Sequence, residues 1–273
     1  MSIALIAGQG NLAAELIEAS ADRPFVAAIE GFLPAGVAPD LVFRIERLIP
    51  FFARLHEAGI TRICFAGALH RPRLDPALFD PETARIVPRM IAAMGQGDDA
   101  TLREVMLMFE EEGFCIIGAA ELAPLLLAPA GCLTGEMTKR DRQDAERAAM
   151  IAEALGRVDV GQGCVVQQGL CLAVETLAGT DAMLASVAAL PEGLRPDPAR
   201  GRGLLYKAPK PGQDLRIDMP AIGMDTLRNA AAAGLGGIVW QADGVLCLDR
   251  EAMVRQAADS GLFLWAREQC ASS

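Results

Sequence analysis

An unbroken apolar run at residues 3–7 closes on G-Q-G-N-L-A, and a helical pattern follows through Ala19. A short, continuous apolar run bounded by glycine has the composition of a strand buried on both faces of a parallel sheet. Strand, glycine turn and helix stand in the order of the G-x-G-x-x-A variant of the dinucleotide-binding fingerprint. Residues 25–29 predict a second strand. Glu30 ends it about 20 residues beyond the turn, where a ribose-binding acid would stand. Two readings of the turn stay open. Gly10 and Asn11 bring backbone and a helix N-terminus against a nucleotide or phosphate, or the glycines only let a helix pack on a strand.

The alternation continues. Residues 48–58 predict a helix and 62–66 a strand ending in F-A-G, followed by A-L-H-R-P. Arg71 then lies at the carboxyl end of a strand, the side on which open α/β sheets bind ligands, and is a phosphate candidate. His70 is read as structural. Helices are expected over 84–94 and 100–111, with Asp98 and Asp99 placed to cap the second. Residues 114–117 form a strand closing at Gly118. Strands alternating with helices predict an α/β fold with a Rossmann-like, doubly wound parallel sheet over residues 1–130.

Residues 131–273 read differently, as an α+β domain. An amphipathic helix is expected over 141–155. A hairpin of strands 164–168 and 170–175 turns at Gly169, and Gly179-Thr180-Asp181 then opens a helix through Ala189. Glu175 ends a strand that enters this turn, which makes it the more interesting carboxylate beside Asp181. Further elements are a strand at 203–207, a helix within 221–233, strands 237–241 and 245–248 expected to pair with each other, a helix at 250–260 and a strand at 263–265.

Of 25 basic residues only three are lysines, Lys139, Lys207 and Lys210. Two of them flank A-P beside the single tyrosine, Tyr206. A compact ammonium on a flexible stem is a common phosphate contact, whereas arginine offers a fixed fork. The run then alternates, with Asp214, Arg216 and Asp218 separated by Leu215 and Ile217. Period two predicts a strand carrying both carboxylates and the guanidinium on one face. Such a face can hold a divalent cation and a phosphate together. It is equally a solvated edge with a surface ion pair.

The formal net charge is −10, and no basic cluster with interleaved aromatics offers a nucleic-acid footprint. Seven scattered cysteines without a C-x-x-C suit a reducing cytoplasm. The longest apolar region, 115–132, is interrupted by Glu121 and two prolines and does not qualify as a membrane span. No signal peptide is expected at the start. Aromatics make up 5% of the chain, so the core is expected to rest on Ala, Leu, Ile and Val.

Seven motifs in order add up to a resemblance. L-I-A-G-Q-G-N-L, F-A-G-A-L-H-R-P, G-D-D-A-T-L-R, E-G-F-C-I-I-G-A, D-V-G-Q-G-C-V-V, V-E-T-L-A-G-T-D-A-M and K-A-P-K-P-G-Q-D-L-R-I-D-M-P-A-I-G span nearly the whole chain. Together they resemble the LpxI-type UDP-2,3-diacylglucosamine pyrophosphatases of lipid A biosynthesis. The chain departs from that pattern at Ala13, where the family has proline, and at Leu69, where it has valine.

The resemblance implies a cytoplasmic enzyme, peripheral at the inner membrane. It would split UDP-2,3-diacylglucosamine into lipid X and UMP with Mg2+ or another divalent cation, holding its substrate between two domains. A homodimer is expected from the family and from the prevalence of symmetric dimers. The family's important aspartate falls on Asp218, which would ligate the cation or take a proton from the attacking water. Lys207 and Arg216 complete the expected catalytic set by neutralising the diphosphate. Asp214 and Glu175 join Asp218 as candidate metal ligands. Gly10, Asn11, Arg71, Gly118, Thr180, Asp181, Lys210 and Gln213 are the expected substrate contacts. Two other classes remain: a non-catalytic nucleotide- or lipid-binding protein, and an NAD-dependent oxidoreductase. Against the oxidoreductase, the second half shows no obvious histidine or tyrosine–lysine proton relay.

Overall fold

A computed structural model describes residues 2–69, 74–95, 98–191 and 193–268, with the side chains of Asp98 and Asp99 left out. The chain divides into two compact units. The first comprises Met1–Pro124 together with Asp214–Asp218; the second comprises Leu125–Gln213 and Met219–Ser273.

The first unit runs β1 (Ser2–Ala7), α1 (Leu12–Ala19), β2 (Phe25–Ile29), β3 (Leu41–Phe43), α2 (Leu48–Glu57), β4 (Ile60–Ala66), α3 (Thr83–Met94), α4 (Asp98–Glu111), β5 (Cys115–Ile117) and the short α5 (Ala119–Leu122). Its five strands form one sheet in the order β3-β2-β1-β4-β5, every neighbouring pair parallel. This is the predicted Rossmann-like sheet. Its order reverses beside β1, the strand that feeds the G-Q-G turn. The scarce aromatics are not spread evenly. Phe43 stacks on Phe51 at 3.7 Å between ring centroids, and Phe52, Phe109 and Phe114 pack edge-on or tilted around them. Phenylalanine therefore fills this core to a degree that composition did not suggest. Each such ring removes a large apolar area from water and is worth about 1.5–3 kcal/mol when fully buried.

The second unit contributes β6 (Gly131–Thr134), α6 (Lys139–Arg157), β7 (Gly163–Gln167), β8 (Leu170–Val174), α7 (Gly179–Ala188), β9 (Leu204–Lys207), β10 (Ala221–Ile222), α8 (Met224–Ala232), β11 (Gly237–Gln241), β12 (Leu246–Cys247), α9 (Arg250–Asp259) and β13 (Phe263–Arg267). Six strands make a mixed sheet in the order β6-β13-β11-β9-β7-β8. Its centre, β13-β11-β9, is parallel, and β6, β7 and β8 join antiparallel. Alternation along β9 places Leu204 and Tyr206 in one core with Ala145, Ala148 and Ala152 of α6. It sends Leu205 to the other, with Met183, Leu184 and Val187 of α7. The alanines of α6 let that helix approach the sheet closely. Its start is fixed by a capping box, in which Asp141 N–H donates to Thr138 Oγ1 and Thr138 N–H donates to Asp141 Oδ2.

Two sequence expectations fail. Residues 237–241 and 245–248 do not pair with each other. Both edges of β11 are taken by its parallel neighbours β9 and β13, so β12 pairs instead with β10 in a separate two-stranded ribbon. Residues 214–218 are not a strand either. Ile217 and Asp218 N–H both donate to the Asp214 carbonyl, at 3.2 and 3.3 Å, which closes a turn. The Asp214 side chain also accepts from Arg216 N–H at 3.0 Å. This local bond offers the backbone an alternative to a strand ladder.

Candidate functional site

Lys207 is the last residue of β9 and shares its face with Leu205, so its side chain is directed toward α7. It is only 7% exposed. Its Nζ donates to Thr180 Oγ1 at 2.6 Å, and Thr180 Oγ1 donates to Glu175 Oε2 at 3.0 Å. Nζ and Oε2 are 3.8 Å apart. Thr180 has one hydroxyl proton, so it can satisfy both neighbours only by giving that proton to the carboxylate and accepting from the ammonium. A buried lysine and a buried glutamate are thereby held as a pair with a hydroxyl between them.

The wall behind the pair is made of glycine. A Cβ on Gly163 would lie 2.7 Å from Glu175 Oε2, and one on Gly161 would lie 2.0 Å from the Glu175 carbonyl oxygen. Gly161 and Gly163 are the glycines of D-V-G-Q-G-C. Sequence reasoning quoted that motif but gave these positions no role. Gly163→Ala is expected to cost about 1–3 kcal/mol of folding stability through overpacking, measured by urea titration. It should also displace the Glu175 carboxylate from Thr180.

The other expected contacts of the second unit are partly engaged in holding the chain. Lys210 Nζ pairs with Asp159 Oδ1 at 2.6 Å, and Asp159 is held at a φ of +56°. Gln213 Oε1 accepts from Lys210 N–H at 2.8 Å, clipping the turn through Gly212. Asp181 Oδ1 accepts from Asn229 Nδ2 at 2.8 Å, which ties α7 to α8. Thr180 and Glu175 thus join Lys207 in one cluster, whereas Asp181, Lys210 and Gln213 have their own partners.

In the first unit the two glycine turns meet. A Cβ on Gly8 would fall 2.6 Å from the Ala68 carbonyl oxygen, and one on Gly67 2.7 Å from the Gly8 carbonyl carbon. Gln9 and Ala68 bridge them, each N–H donating to the other's carbonyl. These glycines are therefore required by the close approach of β1 and β4 ends. Gly10 differs. It has a φ of +93°, is exposed, and a Cβ there would meet nothing within 4 Å. Asn11 precedes α1 without capping it through its side chain and is exposed. Glu30 is paired with Arg44 at 2.9 Å. Arg71 and His70 lie outside the described residues.

The turn of residues 214–218 packs on this unit through Ile217. Gly118 makes room for it, since a Cβ would lie 3.3 Å from the Leu215 carbonyl oxygen. Arg216 Nη2 and Nε reach Asp214 at 2.7 and 3.0 Å, and Nη1 reaches Glu110 Oε1 at 3.2 Å. Hydrogen bonds from Arg216 hold the Asp214 carboxyl below its ordinary range, and Asp214 in turn raises the guanidinium. Asp218 is exposed.

Among the described residues no group of three or more His, Cys, Asp or Glu is arranged to hold a metal ion. Asp214 gives both oxygens to Arg216, and Glu175 is held by Thr180 and Lys207. Neither suits a preformed cage. The exposed Asp218 carboxylate suits the looser mode of magnesium, which uses one or two carboxylates, several waters and substrate phosphates.

The chain was also compared with known proteins. Residues 2–126 match the family model of the LpxI N-terminal domain, and residues 129–265 match that of the LpxI C-terminal domain. The chain is 41% identical over 269 residues to "UDP-2,3-diacylglucosamine pyrophosphatase LpxI" of Caulobacter vibrioides, covering 96% of each chain. Both domains in order, and a relative aligned along almost its whole length, show that this chain belongs to the LpxI family.

Proposed function

We propose that this protein hydrolyses the pyrophosphate of UDP-2,3-diacylglucosamine to lipid X and UMP, in lipid A biosynthesis. The observation that carries the reading is the full-length identity to a relative named for that pyrophosphatase activity. The buried Lys207–Thr180–Glu175 cluster supports it. A diphosphate needs its oxygens neutralised by groups held in place beforehand, because reorganisation during the reaction is then avoided. Lys207 meets the diphosphate, Thr180 and Glu175 keep its ammonium oriented, and Lys210 adds charge nearby. Arg216 is a positioning residue that holds the turn from Asp214 to Asp218. Asp218 takes the proton of the attacking water or contacts the cation. A divalent cation, normally magnesium, supplies charge neutralisation on the diphosphate oxygens when bound.

No helix among the described residues is long and apolar enough to cross a membrane. On the family resemblance, the reading is of a cytoplasmic enzyme that takes its substrate from the inner leaflet by peripheral contact. Incubation with UDP-2,3-diacylglucosamine and Mg2+ is expected to release UMP and lipid X in equal amounts, detected by mass spectrometry. Exhaustive chelation is expected to abolish turnover, and readdition of Mg2+ to restore it. Binding without UMP release would leave a nucleotide- or lipid-binding protein. Full activity after chelation would remove the cation from the reading.

A further inference from the structure

Lys207 ends β9 at one end of the six-stranded sheet. At the other end, where β9, β11 and β13 begin, lies a cavity of about 700 Å3. This volume is in the range of small-molecule sites. Arg140, Arg200 and Arg202 line it. The Arg140 stem crosses the loop between the other two, its Cγ 3.3 Å from the position of a Cβ on Gly201. Arg202 donates to the Gly261 carbonyl. Among the described residues, Arg140 and Arg200 have no carboxylate partner, although the chain carries ten more acidic than basic residues. Of the acids lining the cavity, Asp141 is occupied by the Thr138 cap, and Glu136 is exposed. Lys139 and Arg140 also occupy the first turn of α6, where the helix dipole disfavours cations and favours an anion.

The arginine loop is held from the buried side. Gln167, at 0% exposure, donates through Nε2 to the Gly201 and Pro196 carbonyls at 2.8 and 3.1 Å, and accepts from Arg195 Nε at 2.7 Å. Gln168 Nε2 donates to the Gly201 and Asp197 carbonyls at 3.1 and 2.6 Å. The buried Asp144 carboxylate accepts from Gln168 and Gly169 N–H at 2.8 and 2.7 Å, fixing the turn from which Gln168 reaches. Buried polar groups committed to one surface loop fix the backbone that carries Arg200 and Arg202, so less of the loop has to be ordered when a ligand binds.

We propose that this cavity binds a soluble phosphorylated small molecule of nucleotide size, at a site separate from the Lys207 cluster. Several guanidinium forks beside a helix N-terminus match the oxygens of a phosphate chain better than a single carboxylate. The test is titration calorimetry of the full chain with sodium tripolyphosphate. Because the Lys207 cluster is itself expected to take phosphates, the measurement is repeated in Lys207→Met, and in Lys207→Met/Glu175→Gln, which removes both buried charges, should the single variant fail to fold. In each background one site is expected to remain. Adding Arg140→Gln with Arg200→Gln, both exposed and outside the core, is expected to weaken it by at least about tenfold. Unchanged affinity in the arginine variant overturns the proposal, as does an absence of binding at millimolar tripolyphosphate. A parallel arm uses vesicles containing phosphatidylglycerol. Vesicle binding that needs these arginines, without tripolyphosphate binding, overturns the soluble ligand in favour of a lipid surface.

Discussion

Lys207→Met is expected to lower kcat by about 10²–10³-fold, the effect of removing one preorganised donor from a site of developing negative charge. Methionine keeps the volume of the lysine stem, so the substitution mainly deletes the ammonium. It also leaves Glu175, 6% exposed, without its cation. Breaking a buried pair from one side is destabilising, here by about 3 kcal/mol, the lower end for buried pairs because Thr180 still donates to the carboxylate. The two effects are separated by the double variant Lys207→Met/Glu175→Gln, which removes both charges. If Lys207 acts on the diphosphate, the double variant regains stability in a urea titration but not turnover. Recovery of both would show that Lys207 serves only to neutralise Glu175.

Asp218→Ala is expected to reduce kcat by about 100-fold or more while KM changes little, because a proton acceptor or cation contact acts mainly in the transition state. Asp218 is exposed, so the folding free energy should move by no more than about 1 kcal/mol, the range of a solvated polar contact. Asp214→Ala is the internal control. It frees Arg216 from its closest partner and loosens the turn, but the ion pair is partly solvated and worth about 1 kcal/mol or less. A smaller loss of turnover than for Asp218→Ala is therefore expected. Near-normal turnover of Asp218→Ala in steady-state assays with UDP-2,3-diacylglucosamine would move the role to Asp214.

The candidate site was legible in the sequence wherever residue type alone carried the signal. Two of only three lysines falling in one short stretch marked Lys207, and a carboxylate at a strand end marked Glu175. That Glu175 and Thr180 flank one turn was legible, but their joining to Lys207 was not, because only the registers of β8 and β9 on the two sides of β7 bring Lys207 beside them. The glycine wall at Gly161 and Gly163 was hidden for the same reason: a glycine's need for space depends on what approaches it.

Local sequence determined the order and type of most elements. The apolar run and G-Q-G turn, the capping box at Thr138 and the hairpin at Gly169 all act within a few residues, so a one-dimensional reading captures them. The parallel sheet of the first unit followed from strand–helix alternation, since parallel neighbours need a crossover. Tertiary structure decided the rest. The alternation of Asp214, Arg216 and Asp218 has strand spacing, yet Asp214 bonds its own downstream backbone and Ile217 is drawn to the first unit's core, and a turn results. Residues 245–248 had strand character but no partner that sequence could name. They pair with β10 because β11 already has a neighbour on both edges, and hydrogen-bonding edges are a property of the assembled sheet.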